Sequence, residues 1–162
     1  QWSLDLGTAF LAALLPAVVL TVFYIGQDIF RPRKDLPLTP LLRIVMTAGV
    51  VATLEEFLFR GVFLGLAIRS MGALKGSILV SLVFAFVHFL KPGKAAVDEV
   101  TWASGFGQVA AIFSNLPPPA ILGFGFLSLL AAGLLLAWVT LRTRSLWAAI
   151  GLHAGWILGQ QG

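Results

Sequence analysis

From Leu6 to Ile25 the sequence carries no charged side chain. A helix needs about 20 mostly apolar residues to cross the hydrocarbon core of a bilayer. This run therefore constrains the solvent before anything else. In lipid every backbone N–H and C=O must be satisfied within the protein, which leaves helices or closed barrels. The alternating apolar/polar pattern of a membrane barrel is absent here. The whole chain agrees: 59% of its 162 residues are hydrophobic and only 11% are charged, and the mean hydropathy is +0.96. A soluble domain carries about 25% charged residues. The expectation is an all-α, polytopic membrane helix bundle forming a single domain over residues 1–162.

About five spans fit the pattern: 6–25, 41–68, 75–90, 120–141 and 146–158. Loops rich in Pro, Gly, Arg and Lys separate them. Ser145 is placed to cap the last helix. Residues 91–119 read as an irregular connection. Within it, Trp102 to Phe113 is too short to span and suits an interfacial or re-entrant segment. Trp102, Trp138, Trp147 and Trp156 suit interface anchoring or packing. Arg31, Arg33, Lys34, Arg43, Lys91 and Lys94 fall on one side of this topology. Arg69, Lys75, Arg142 and Arg144 fall on the other, so the positive-inside rule makes the first side cytoplasmic. Scattered loop charges at a net +4 suit membrane topology and not nucleic-acid binding. The chain contains no cysteine, which excludes disulfides, thiolate metal sites and a cysteine nucleophile. It begins at Gln1 without methionine and ends just after an apolar run, so the full protein is expected to extend further. The first segment lacks the pattern of a signal peptide.

Ionisable groups at membrane depth cost about 2.5–3.5 kcal/mol each on insertion scales. Glu55, Glu56, Arg60, His88 and His153 stand at such positions, and the two histidines are the only ones in the chain. Counting about 1.5 Å per residue places Glu55 roughly 15–20 Å, His88 roughly 20 Å and His153 roughly 12 Å from one face. Three helices can thus present a carboxylate and two imidazoles at overlapping depths. Glu56 and Arg60 are four apart and can pair, leaving Glu55 on a neighbouring face; Phe84 and His88 share a face likewise. A carboxylate beside an imidazole can activate water, and a second histidine can hydrogen-bond an oxyanion. These parts suit amide hydrolysis without a covalent intermediate. Read blandly, a membrane histidine is a helix–helix hydrogen bond and Glu56–Arg60 a structural pair. The coincidence of depth favours the functional reading.

Glu55-Glu56-Phe57-Leu58-Phe59-Arg60-Gly61 resembles the EExxxR motif of the CPBP intramembrane proteases, the CAAX prenyl protease and bacteriocin-processing family. Phe84-Ala85-Phe86-Val87-His88 is similar to its FxxxH motif. Gly151-Leu152-His153-Ala154-Gly155-Trp156 resembles the start of its third, HxxxN or HxxxD. The motifs occur in the family's order on three helices, and the resemblance spans roughly 41–159. It implies a glutamate-dependent endopeptidase without metal or other cofactor. In that reading Glu55 and His88 activate water, Glu56 and Arg60 hold the site, and His153 stabilises the oxyanion. The substrate would be a membrane-associated protein or peptide, and the chain a multi-pass protein of a bacterial or archaeal inner membrane. Ile157 stands where the family pattern has Asn or Asp. The chain's single asparagine is Asn115.

Other readings are weaker. A zinc protease could draw on His88, His153 and Glu55, but the H-E-x-x-H helix is absent. A rhomboid-like serine site wants Gly-x-Ser-Gly, and Trp102-Ala103-Ser104-Gly105 lacks the first glycine. An aspartyl protease wants a membrane aspartate pair; the spans offer only Asp5 at their very start. A proton-coupled transporter fits intramembrane Glu and His, yet the chain is small and shows no repeat. An inactive scaffold or immunity protein on the same fold is the alternative that Ile157 supports.

Overall fold

The structure is a computed structural model that describes residues 1–31, 38–90, 101, 104–114 and 118–161. Every element among these residues is helical: α1 (Trp2–Gly26), α2 (Leu38–Glu56), a π-helical segment (Phe57–Phe63), α3 (Leu64–Met71), α4 (Ala73–Val87), α5 (Ser104–Ser114), α6 (Pro119–Thr143) and α7 (Leu146–Gln161). The expected all-α bundle is therefore what the chain forms. Trp2–Gly26 and Leu122–Thr143 are each long and apolar enough to cross a membrane, by length and composition. α4 is a shorter apolar helix. α5 has 11 residues, too few to span, as its composition implied. Arg33, Lys34, Lys91, Lys94, Trp102 and Asn115 lie outside the described residues, and so does most of the connection before α5.

Local chemistry sets the breaks. Gly72 separates α3 from α4 at φ 82°, a conformation in which a side chain would be strained. Past it, Gly76 lies so close to α3 that an added Cβ would sit 3.1 Å from backbone atoms of Ala67 and Ile68. The two helices therefore pack as a tight hairpin. Pro119 opens α6 at a position where its missing N–H costs nothing. At the α6–α7 turn the Ser145 hydroxyl accepts the Trp147 N–H at 3.3 Å, the capping bond foreseen for it.

The bundle is apolar outside and keeps a few polar groups inside. Leu11, Val22, Phe106 and Phe124 are among many large hydrophobic side chains left exposed, while Glu56, Arg60, Ser81 and His153 are buried. Water would not tolerate so large an apolar surface; lipid does. A small core of Phe59, Leu64, Val80, Phe84 and Ala137 joins the π segment, α3, α4 and α6. Lipid supplies no hydrophobic drive between helices, so small residues at close contacts do the joining. Gly133 of α6 faces Ser81 of α4, where a Cβ would meet the serine Cβ at 3.0 Å. Gly151, Gly155 and Gly159 present a four-residue stripe on α7 to α1. A Cβ on Gly155 would sit 2.7 Å from the Phe10 carbonyl oxygen, and one on Gly159 2.8 Å from the Ala17 Cβ.

Candidate active site

Glu55 and Glu56 are the last residues of α2, and Arg60 lies within the π segment. The Arg60 guanidinium donates through Nη1 to Glu56 Oε1 at 2.8 Å and through Nη2 to the Gly133 carbonyl at 3.3 Å. It also lies 4.3 Å from the centre of the Phe84 ring, within cation–π range. The expected Glu56–Arg60 pair thus exists, and both side chains are almost fully shielded from solvent, at 0% and 1% exposure. Further hydrogen bonds offset part of the cost of burying the pair, while Glu56 Oε2 and Arg60 Nε have no partner among the described residues.

His153 supplies one of those bonds. Its Nδ1 lies 2.8 Å from the same Glu56 Oε1. The sequence reading assigned Glu56 to Arg60 alone and missed this second partner. Phe84 is the other hub. Its ring packs on the His88 ring at 4.3 Å and edge-on to His153 at 6.0 Å. Its carbonyl, one of the last that α4 leaves open, lies 2.8 Å from His88 Nδ1. His88 itself falls just past the last helical residue, where the sequence reading carried the helix on to Leu90. At that end its ring serves as a cap.

The three residues proposed for the chemistry meet. Glu55 Oε2 stands 3.6 Å from His88 Nε2 and 3.8 Å from His153 Nε2. Both distances exceed hydrogen-bond length, and the partners explain why. A carbonyl can only accept, so His88 Nδ1 carries the proton. A carboxylate paired with arginine also accepts, so His153 Nδ1 carries one too. In the neutral rings each Nε2 therefore turns a lone pair toward Glu55. With both rings neutral, three acceptors converge, and a water that donates its two O–H groups to two of them is the species that suits such a point. Among the described residues no group of three His, Cys, Asp or Glu side chains is arranged to hold a metal ion.

This point closes the inner end of a cavity of about 260 Å³ between α2, α4, α6 and α7. Glu55 and His88 remain 30% and 28% exposed and His153 9%, so a substrate can reach them. Thr47 and Val51 line the wall at spacings of four from Glu55, and Trp156 and Gln160 line it three and seven residues after His153. Those helical spacings were legible in the sequence. Ile157 also lines the cavity, one turn from His153, so an apolar side chain faces the place where a donor was expected.

A helical bundle with a lipid-facing surface and ionised groups held at its centre defines a class: membrane proteins that keep an ionisable centre inside the helices. Within that class, residues 37–158 match the Rce1-like family, described as type II CAAX prenyl endopeptidase Rce1-like, and the chain belongs to that family. It is thereby a membrane protein of a CAAX-type intramembrane protease family. No curated protein and no solved structure matched the chain. α1 lies outside the matched residues.

Proposed function

We propose that the chain is an intramembrane endopeptidase that hydrolyses a peptide bond of a membrane-associated protein or peptide. The observation that supports it most is the convergence of Glu55 Oε2 with the two histidine Nε2 atoms at 3.6 and 3.8 Å. Water held between Glu55 and His88 gives a proton to this pair as its oxygen attacks the scissile carbonyl carbon. His153 takes a proton on Nε2 from solvent in the cavity before the attack, donates it as a hydrogen bond to the oxyanion and keeps it when the carbonyl re-forms. When the carbonyl re-forms, the C–N bond breaks and the amine leaves with the proton taken from the water. Glu56 and Arg60 hold the site from outside the cavity, and Phe84 positions both rings from its wall. The whole chain acts as one multi-pass domain of about five crossings, in the inner membrane of a bacterium or archaeon.

A prenylated peptide with a CAAX terminus is the first probe, since the family is described by that activity. Glu55→Gln and His88→Ala should abolish its cleavage while the protein still accumulates in the membrane. Undiminished cleavage by Glu55→Gln would refute the reading. Ile157 supports a second reading, in which the chain keeps the fold as a scaffold or immunity protein without turnover. A biological phenotype that survives Glu55→Gln and is lost on disrupting packing surfaces favours it.

A further inference from the structure

Two residues of the cavity wall have another side. Trp156 and Gln160 of α7 also line a groove of about 340 Å³ that runs along α1, floored by Gly159 and walled by Pro16, Leu20 and Tyr24. The catalytic cavity and this groove thus lie on two sides of one indole and one primary amide. We propose that the α1–α7 groove is a substrate subsite that holds the peptide chain on one flank of the scissile bond, with Trp156 and Gln160 as its threshold. The inference rests on the protease reading and adds a specificity-determining region to it.

The chemistry of the walls supports a peptide there. A peptide in a membrane keeps an unpaired N–H and C=O at each residue, and each is costly without a partner. Around the catalytic point the ring nitrogens and Glu55 offer acceptors, and the rest of the wall is largely apolar: Val51, Leu129, Leu136 and Ile157. Gln160 offers a donor and an acceptor together, the complement of a peptide group. Along the groove follow the Tyr24 hydroxyl and the Thr21 hydroxyl, whose proton goes to the Ala17 carbonyl at 2.8 Å and which keeps lone pairs for an incoming N–H. From His153 to Gln160 the helix rises about 10 Å, the length of about three extended residues. A substrate residue about three positions from the scissile bond therefore reaches the threshold. The groove cannot close by α1 sliding inward, because Gly155 and Gly159 already bring α1 to contact distance.

Photo-crosslinking tests this on the Glu55→Gln protein. Prenylated CAAX peptides carry benzoylphenylalanine at successive positions, and the attachment points are mapped by mass spectrometry. Probes about three or more residues out on one flank should label Leu20, Tyr24 or Trp156. They should not label Leu15 or Val22, which lie on the opposite face of α1. Labels confined to α2, α4 and α6 overturn the proposal. A kinetic arm uses Thr21→Trp, which fills the groove. KM for the long peptide should rise about tenfold with kcat unchanged, while a peptide truncated to the residues beside the scissile bond is unaffected. An equal effect on both peptides, or on neither, overturns the subsite and marks the groove as a lipid-filled seam. Failure of the protease reading is separate: it would appear as no cleavage by the parent chain, or as cleavage that persists in Glu55→Gln.

Discussion

Glu55 and Glu56 are neighbours in sequence, yet the same substitution should do opposite things to them. Glu56 is fully buried, and its Oε1 accepts from Arg60 and His153 at 2.8 Å each. Glu56→Gln removes the charge that compensates a guanidinium with almost no solvent contact. Breaking one side of a buried pair costs about 3–5 kcal/mol, a large share of a marginal stability. Glu55 is 30% exposed, and its Oε2 has no hydrogen-bond partner among the described residues. Glu55→Gln breaks no hydrogen bond of Oε2 and should cost much less stability than Glu56→Gln. Its cost falls on the reaction: losing a general base removes about 100- to 10,000-fold in rate. The assay is a pair of measurements on purified protein, thermal unfolding in detergent and cleavage of a prenylated CAAX peptide. Glu55→Gln should unfold with the parent and cleave nothing. Glu56→Gln should unfold well below it. Equal destabilisation by the two would refute the division of labour between adjacent carboxylates.

Three further outcomes are expected. Ile157→Asn places an amide donor in the cavity wall one turn from His153 and should raise kcat, by up to about the 100- to 1,000-fold such a donor is worth; an unchanged kcat would show that the oxyanion is already fully served. Gly155→Leu forces a branched side chain into the Phe10 carbonyl and the Ala13 side chain and should lower stability by about 1–3 kcal/mol, read by the same unfolding assay; no change would mean that α1 does not rest on α7. Elemental analysis of active protein should find no stoichiometric zinc, whereas one zinc per chain that disappears in His88→Ala would replace the glutamate mechanism with a metal one.

The lipid-facing character and the helical class were legible because they depend on composition and run length, which any window of the sequence displays. The Glu56–Arg60 pair was legible because a four-residue spacing fixes a helix face. The meeting of Glu55, His88 and His153 followed from counting depth along three helices. Depth counting says nothing about rotation, however, and so the bond from His153 to Glu56 was missed. Phe84 was named as a supporting site residue, through the FxxxH motif and the face it shares with His88. Its carbonyl, which sets the His88 tautomer, belongs to the backbone, and no side-chain pattern reports it. The π segment left no mark in the sequence, since Phe57–Phe63 has the composition of an ordinary apolar helix. The groove along α1 arises from the packing of helices far apart in the chain, and the only hint was the glycine stripe on α7.

That π segment has a geometric consequence. Ala48, Ala52, Glu56, Arg60 and Leu64 are all buried, and they follow one another at intervals of four. In an α-helix four residues overshoot a full turn by about 40°, so Leu64 would lie about 160° around the axis from Ala48. A π-helix bonds each N–H five residues back, so four residues fall short of a turn and the drift reverses. The segment begins at Phe57, just after the drift has brought the two glutamates to their places, and it unwinds the excess over Arg60 and Leu64. The rod from Leu38 to Met71 thereby keeps one buried seam along its length instead of spiralling its arginine out into lipid.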